Sequence, residues 1–482
     1  MNIAAKSLGA KSSLLHLSLV DAAEALKDGA ISSVALTQAA LEAFSRLDDT
    51  INASIWLDGT AALEAAAAFD KKRASGATLG RLHGVPLAHK DMYYKAGRLS
   101  TCGSAIRKDF RPDCTATVIE RLEVAGSVTL GGLNMAEFAQ NPTGHNRHFG
   151  DCRNPWGPDY CTGGSSSGSG AAVAARLVFG ALGSDTGGSI RLPAAICGVT
   201  GIKPTQTRVS RYGVMPLSFS ADNVGPLART ARDAARFLSV IAGHDPKDPT
   251  SSREPVADYE AALSGELAGV TIGVPTNYFF DGIDPDVQRA FDEAVEVLQA
   301  RGAKIVPVTI PHMDAVATYG GIVSRVEGGT IHGEWMRARP QDYAVHLSAR
   351  LYGSQAVPAV YYIEALARRG AILKAVAKDV FGACNAFITP TLRMKVPTLL
   401  ATDIDAGTPG AIEVFNDVSV NTRPINYLGL PSVSVPCGLD SNGLPIGFQI
   451  QGRPFGEARI LAIADAYQRD TDWHRRLPPH VA

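Results

Sequence analysis

Apolar residues recur every three to four positions through the first part of the chain, a spacing that predicts amphipathic helices. Further on, the pattern changes to short apolar runs bounded by glycine and proline, which indicate buried strands or strand ends. The predicted helices cover residues 19–26, 33–47, 60–73, 117–125 and 169–179, and the predicted strands cover 83–90, 127–134 and 180–186. Strands that alternate with helices predict an α/β sheet covered by helices on both faces.

The second half of the chain continues this alternation. Apolar runs at 270–274 and 304–308 flank a helical pattern at 285–300, which predicts a β-α-β unit. One long amphipathic helix is predicted over 361–381, and further strands over 386–390, 429–438 and 444–452, the last two joined by a turn at 440–443. No long linker or repeat interrupts the pattern. We therefore predict a single domain over 1–482, with N-terminal helices (1–76), a central core (77–242) and a C-terminal half (243–482) that completes the sheet and the substrate pocket.

Composition narrows the class of protein. Of the 482 residues, 45% are hydrophobic and 19% charged, as in an ordinary enzyme with a large core. The formal net charge of −1, without blocks of like charge, favours neither nucleic acid nor a membrane surface as a partner. The interrupted apolar stretch near Leu14 resembles an amphipathic helix more than a secretion signal. Seven cysteines without a C-x-x-C pair indicate neither disulfides nor a zinc site, so a reducing cytoplasmic location is expected.

Two glycine-serine clusters, at 163–170 and 184–191, are the most informative local feature. Flexible linkers of this composition are normally flanked by polar sequence, whereas strongly apolar segments follow both clusters here. Small residues inside such a core suggest backbone N–H groups that approach a ligand closely. An acyl-transfer site needs this arrangement.

Several chemical interpretations compete at these clusters. Residues 164–168 match a G-x-S-x-G nucleophile elbow, which requires one of the later histidines as a base. His145 and His148 have a spacing that could bind a metal, although a solvated loop also explains them. Two hydroxyls and Lys90 form a third possibility, because a lysine that burial keeps neutral can activate a serine. The simpler alternative for Lys90 is an ion pair with Asp91.

Over most of its length, the chain resembles the amidase signature family. The resemblance rests on long ordered motifs that cover most of the chain: GVPLAHKD (84–91), GLNMAEFAQNPTG (132–144), GGSSSGSGAAVAA (163–175), LGSDTGGSIRLPAAICGVTGIKPT (182–205), RVSRYGV (208–214), DNVGPLARTARDAARFL (222–238) and the C-terminal NYLGLPSVSVPCG and LPIGFQIQG. It implies the amidase signature fold, in which helices cover both faces of a large, mixed, twisted central sheet.

The resemblance also implies the catalytic roles. Ser189 would be the nucleophile, Ser165 a bridging hydroxyl that follows a cis peptide bond, and Lys90 the base. The backbone N–H groups of Thr186, Gly187, Gly188 and Ser189 would form the oxyanion hole. Ser166 would hydrogen-bond to Lys90, while Asp185 and Arg191 would hold the loop. The reaction would pass through an acyl-enzyme and need neither a metal nor an organic cofactor.

The substrate is less sharply indicated. Candidate pocket residues are Met135, Gln140, His148, Phe149 and the segment 315–335, with the helix at 361–381 as a possible cover. We expect hydrolysis of a small aryl or alkyl amide, with a carbamate as a variant; the alternatives are a glutamine-hydrolysing subunit of a tRNA-dependent amidotransferase, or a non-catalytic relative. That subunit usually carries an acidic residue where this chain has Ser419, and Arg423 adds a positive charge nearby. The expected partners are therefore a small-molecule amide, no nucleic acid, no membrane and possibly a second copy of the chain.

Overall fold

The computed structural model describes residues 14–479 and 481. Its strands are β1 (Ser54–Leu57), β2 (Pro86–Lys90), β3 (Val128–Leu133), β4 (Gly180–Asp185), β5 (Thr200–Lys203), β6 (Asn223–Ala228), β7 (Thr271–Pro275), β8 (Lys304–Val308), β9 (Ala386–Pro390), β10 (Ser432–Leu439) and β11 (Pro445–Gly452). The helices before β7 are α1 (Leu19–Lys27), α2 (Ser33–Ile51), α3 (Gly59–Ala74), α4 (Thr117–Val124), α5 (Ser167–Ala174), α6 (Arg191–Ile196) and α7 (Ala231–Ile241). Those after it are α8 (Pro285–Ala300), α9 (Met313–Ala338), α10 (Val345–Gln355), α11 (Ala359–Asp379), α12 (Ala411–Asp417), α13 (Arg423–Leu428) and α14 (Glu457–Asp470).

All of these strands join one sheet, in the order β1-β3-β2-β4-β6-β5-β10-β11-β9-β7-β8. The pairs β2/β3, β2/β4, β7/β8 and β7/β9 are parallel, and the other neighbours are antiparallel. Every residue of β2, β4, β6, β9 and β11 is buried, so the middle of the sheet is covered on both faces. The predicted α/β class with a mixed sheet between helical layers is confirmed.

Most predicted elements lie within a few residues of their observed bounds, and α8, β8 and β9 coincide with the prediction. Local chemistry explains these ends. Asp284 caps α8 by accepting from the N–H of Asp286, and Pro285 occupies the first helical turn, where a missing N–H costs nothing. Ser32 caps α2 in the same way, by accepting from Ala35.

The helix predicted over 169–179 is wrong at its C-terminal end. Helix α5 stops at Ala174, the chain turns through Arg176 in a left-handed conformation (φ 60°), and residues 177–179 lead into β4. All three of those residues are fully buried. A short, wholly buried apolar run has no exposed face, so its spacing cannot distinguish a helix from an extended approach to a strand.

Several elements were not predicted, among them α9, α10 and the strands β5 and β6. Helix α9 carries glycines at 320, 321, 328, 329 and 333, which weaken a helical pattern. Among the residues that the structure describes, no helix combines the length and apolar character that a membrane crossing requires. The division of the chain into a single domain stays a prediction.

Candidate active site

The ends of two parallel strands and the start of a helix bring the predicted residues together. Strand β2 ends at Lys90, and its neighbour β4 ends at Asp185; the register pairs Ala88 with Ala181. Parallel strands present their carboxyl ends at the same edge, so the loop after β4 lies beside Lys90. Ser165 precedes α5 and follows a cis peptide bond at Gly164, as the resemblance implied.

Lys90 is buried among hydroxyl groups. Only 1% of it is exposed, and its Nζ donates to Ser165 Oγ at 2.7 Å and to Ser184 Oγ at 2.8 Å. Burial lowers the lysine pKa to about 7, although the charges of Asp185 and Asp222 partly oppose this shift. A large fraction of this amine is therefore neutral near neutral pH. An ion pair with Asp91 is absent, because that carboxylate accepts instead from Thr101 and the Trp56 ring.

Ser184 is a contact that the sequence analysis missed. The predicted partner, Ser166, does not contact Lys90: its hydroxyl lies at 3.3–3.4 Å from the backbone N–H and carbonyl of Ser184. Ser166 is fully buried, which also leaves it unsuited to the role of exposed nucleophile in an elbow. The only clue to Ser184 was its place at the start of the second cluster, at the end of a predicted strand.

The loop after β4 is held from within by Asp185. Its carboxylate accepts from the backbone N–H of Gly188 at 2.8 Å and of Ile190 at 3.2 Å. The Gly188 N–H is therefore engaged in this structure, and its place in the oxyanion hole stays a prediction. The N–H groups of Thr186, Gly187 and Ser189 donate to no acceptor in the described part of the chain, so they stay candidates for that role.

A buried ion pair fixes this loop to the C-terminal half of the chain. Arg191 and Asp185 are both fully buried, with Nε and Oδ2 3.0 Å apart. Arg191 also donates to Asn426 Oδ1 at 2.7 Å and to the Thr422 carbonyl, while Asn426 donates to Asp185 Oδ1 at 2.8 Å. Burial opposes ionisation of Asp185, but the Arg191 charge and these hydrogen bonds outweigh it and lower its pKa to about 2. These contacts confirm the predicted holding role of both residues.

Ser189 lies partly exposed at the wall of a cavity of about 700 Å³, a volume that includes its open mouth. Its hydroxyl makes no hydrogen bond within the described residues, and none joins it to Ser165. The structure thus brings Lys90 and Ser165 into contact and places Ser189 at the cavity, whereas the step between the two serines belongs to the proposed mechanism.

Some of the expected pocket residues line this cavity and others do not. Gln140 lines it, as do Gly320, Val323 and Ser324 of the predicted 315–335 segment, and Arg369 of α11. Met135 is fully buried elsewhere. His148 and Phe149 do not line the cavity either; the His148 ring pairs with Glu137 at 2.9 Å. The unexpected members are Arg350 and Arg369, since charged residues on amphipathic helices are usually assigned to solvent.

The two histidines considered for a metal site have other partners. The His145 ring lies 2.8 Å from Asp151 and 2.9 Å from Thr402, and His148 pairs with Glu137. Across residues 14–479 and 481, no group of three or more histidine, cysteine, aspartate or glutamate side chains is placed to hold a metal ion.

Comparison with known proteins identifies the family. The family model described as Amidase matches residues 35–461. The chain belongs to the amidase family and is an amide-hydrolysing enzyme with the amidase signature fold. It is 42% identical to a glutamyl-tRNA(Gln) amidotransferase subunit from Chloroflexus aggregans, over 96% of this chain and 98% of that protein.

Two solved structures show the same fold. One is described as an unexpected vestigial protein complex that reveals the evolutionary origins of an s-triazine catabolic enzyme; it is 33% identical, with a TM-score of 0.88 over 94% of this chain and 98% of its own. The other is the native peptide amidase from Stenotrophomonas maltophilia, 31% identical, with a TM-score of 0.80 over 96% of this chain and 98% of its own.

These comparisons overturn the expected partners. We expected a small-molecule amide, no nucleic acid and at most a second copy of the chain. A relative that matches over nearly its whole length is instead named as one chain of a glutamyl-tRNA(Gln) amidotransferase, and a similar structure is described as part of a protein complex. The expected distinction between this chain and such amidotransferase chains is likewise unsupported.

Proposed function

We propose that this chain is the amide-hydrolysing subunit of a multichain enzyme, and that it cleaves a primary carboxamide to a carboxylic acid and ammonia. The observation that carries the proposal is the contact between Lys90 and Ser165 beside a cavity walled by Ser189. A buried amine with a pKa of about 7 accepts a proton near neutral pH, as activation of a serine requires.

In the first half-reaction, Ser189 Oγ bonds to the amide carbon while its proton passes to Ser165, whose own proton passes to Lys90. The carbonyl oxygen gains negative charge, which the N–H groups of Thr186, Gly187 and Ser189 stabilise. Lys90 then returns the proton through Ser165 to the amide nitrogen. The C–N bond breaks, ammonia leaves and an acyl ester forms on Ser189.

Water completes the cycle by the same route. It loses a proton through Ser165 to Lys90 as its oxygen bonds to the acyl carbon. The second tetrahedral intermediate collapses, the ester bond breaks, and the proton returns to Ser189 Oγ. Atoms and charge balance without any further reactant, because each proton that Lys90 accepts in one step is donated in the next.

The subunit role rests on the named relatives. Glutamine hydrolysis within a tRNA-dependent amidotransferase is the specific form of this function that their name supports, over nearly the full length of both chains. It implies that turnover depends on further chains. Exposed apolar side chains on α10 and α11, including Tyr352, Val360 and Ile363, agree with a protein partner that covers them.

A second candidate substrate is favoured by one observation, namely that arginines but no carboxylates line the cavity among the residues that the structure describes. An amide that carries an anionic group, without the ammonium group of glutamine, matches that wall better. Both candidates share the proposed reaction and differ only in the substrate.

The proposed function is tested by a serine-directed probe together with ammonia release. The full-length protein is treated with a fluorophosphonate, and the adduct is located by mass spectrometry; we expect it on Ser189, and not in Ser189→Ala. Ammonia release from a panel of primary amides, L-glutamine included, is measured with and without the chains that copurify with the protein. An adduct on another residue, or failure of every primary amide to release ammonia, would contradict the proposal.

A further inference from the structure

The wall of the cavity around Ser189 is positively charged. Three arginines line it, Arg350 from α10, Arg369 from α11 and Arg423 from α13, and its lining in the described chain includes no aspartate, glutamate or histidine. A single arginine in a pocket is often paired internally. Three of them without a carboxylate among their neighbours in the wall indicate a site that attracts negative charge.

Arg369 is engaged by the protein itself. It donates to the Ser220 carbonyl at 2.7 Å, to the Asn426 carbonyl at 3.3 Å and to the side chain of Gln206. These bonds tie α11 to the loop before β6 and to α13. Arg369 therefore supports the wall of the cavity, and much of its hydrogen-bonding capacity is already used.

Arg350 differs from Arg369 in having no partner in the described part of the chain. Within residues 14–479 and 481 it forms no hydrogen bond and no ion pair, and its Nε is buried without an acceptor. Burial lowers its pKa to about 9, and the positive charges of Arg423 and Arg325 act in the same direction. The side chain is only partly exposed and lines the cavity, and a guanidinium with reduced hydration and no counter-ion is unfavourable, so its presence points to an anion that arrives with the ligand.

Arg423 has spare capacity next to Arg350. Its Nε donates to Ser419 Oγ at 2.8 Å and its Nη2 to the Asn416 carbonyl at 2.9 Å, which fixes the guanidinium without neutralising it. The carboxylates of the surrounding elements are otherwise occupied. Asp417 pairs with Arg393, and Glu327 accepts from Ser218, Ser220 and Tyr362.

We propose that Arg350 and Arg423 bind a carboxylate of the substrate while Ser189 attacks its amide, so that the cavity selects monoamides of dicarboxylic acids that lack a nearby ammonium group. This inference rests on the proposed function and specifies its substrate class. An α-ammonium group, as in glutamine, would enter a wall that offers it two guanidinium groups and no carboxylate. Repulsion between like charges weakens binding, so the arginines disfavour zwitterionic amides and favour anionic ones.

The test compares four primary amides that differ in charge: glutaramate and succinamate, each with one carboxylate, L-glutamine, and neutral butyramide. The full-length protein, together with any copurifying chains, is assayed for ammonia release. We expect kcat/KM for glutaramate or succinamate to exceed that for glutamine and for butyramide by about tenfold to a hundredfold, as a charge-assisted hydrogen-bonded pair contributes. The two anionic amides also report the preferred chain length.

Variants separate binding of the anion from general damage. In Arg350→Gln, we expect the ratio of kcat/KM for the anionic amide over butyramide to fall about tenfold or more, mainly through KM, with partial recovery in Arg350→Lys. Arg368→Gln is the matched control, because Arg368 lies on the exposed side of α11 and, among the described residues, pairs with Glu364 alone. Binding of glutarate, followed by calorimetry, should weaken in Arg350→Gln and not in Arg368→Gln.

The outcomes distinguish this inference from the proposed function. If ammonia is released but glutamine is used as well as glutaramate, or if Arg350→Gln leaves the selectivity ratio unchanged, the substrate class is wrong and the hydrolase function stands. If no amide is turned over and the fluorophosphonate fails to label Ser189, the proposed function is wrong. Absence of glutarate binding to the wild-type protein would overturn the anion site independently of turnover.

Discussion

The Nζ atom of Lys90 lies 2.7 Å from the hydroxyl oxygen of Ser165, and the surrounding protein leaves 1% of the lysine exposed. A charged amine in this position loses most of its hydration, and only partial compensation comes from Asp185 and Asp222. In the proposed mechanism, the same contact supplies both a neutral base and a route for its proton. It is the basis of the pH dependence expected of the enzyme.

We predict that kcat/KM rises as pH increases through about 7. The pKa of Lys90 is lowered to about 7 by burial, so the protonated, inactive form predominates below that value and the neutral base above it. The profile is measured with one amide between pH 5 and 9. Full activity at pH 5 would contradict a neutral lysine base.

A second buried lysine provides the control for this profile. Burial lowers the pKa of Lys203 to about 7 as well, and its Nζ donates to the Pro204 carbonyl at 2.9 Å rather than to a serine. Lys203→Met should keep the inflection near pH 7 in any folded protein that it yields. Lys90→Met should abolish turnover at every pH.

We predict that Ser189→Ala lowers kcat by about 10³-fold or more without loss of thermal stability. The hydroxyl makes no hydrogen bond in the described structure, so its removal costs the fold little, whereas the acyl-enzyme loses its only point of attachment. Activity and the melting temperature are measured on the same preparation. Retention of more than a few per cent of wild-type turnover would exclude Ser189 as the nucleophile.

The bridging serine should behave differently. Ser165→Ala should lower kcat by about 10²–10⁴-fold, the usual range for loss of proton transfer. Combined with Ser189→Ala it should add little, because groups that act in one chain of proton transfers do not contribute additively. Losses that multiply in the double variant would show that the two serines act independently.

We predict that Ser184→Ala moves the pH profile to lower pH. The Ser184 hydroxyl accepts from Lys90 at 2.8 Å, and an acceptor stabilises the charged amine more than the neutral one. Its removal lowers the lysine pKa further, so the rising limb of kcat/KM should appear at lower pH than in the wild type. Ser169→Ala is the matched control, since Ser169 is also fully buried and donates to the Leu182 carbonyl instead. A shift to higher pH would contradict this role.

We predict that Gly188→Ala destabilises the protein by about 2–4 kcal/mol and lowers activity. Gly188 has φ 132°, and a Cβ there would overlap Thr422 Oγ1, so both the backbone and the contact exclude a side chain. Gly187→Ala is the comparison, because the nearest atom to its Cβ is Arg423 Cγ at 3.3 Å and its φ is not positive. Equal stability of the two variants in urea unfolding would contradict this account.

The sequence predicted the candidate catalytic residues better than it predicted the residues that line the cavity. The glycine-serine clusters and Lys90 form contiguous motifs, and β2 and β4 are buried strands whose ends could be expected to meet. The contact of Lys90 with Ser184 rather than Ser166 depends on which hydroxyl faces the amine, a matter of one residue on a turning chain. Spacing along the chain carries no information on that choice.

The arginines of the cavity could not be predicted from the sequence, for a different reason. Arg350 and Arg369 occur in amphipathic helices where solvent is the usual place for charge, and the two helices meet the cavity only through tertiary packing. Arg423 was noticed as a positive charge near a motif, but its neighbours were not predictable. The early end of α5 was missed for a related reason. The residues after it are buried on all sides, so the sequence shows no alternation of apolar and polar positions from which a helix end could be predicted.

The ion pair of Asp185 with Arg191 has a consequence for the order of synthesis. Its hydrogen bonds extend to Thr422, Asn426 and Gln449, so the loop that carries Ser189 has its full set of supports only after Gln449 has been synthesised and folded into place. A polypeptide still emerging from the ribosome lacks those contacts. Fragments that end before Gln449 should therefore be inert towards amides.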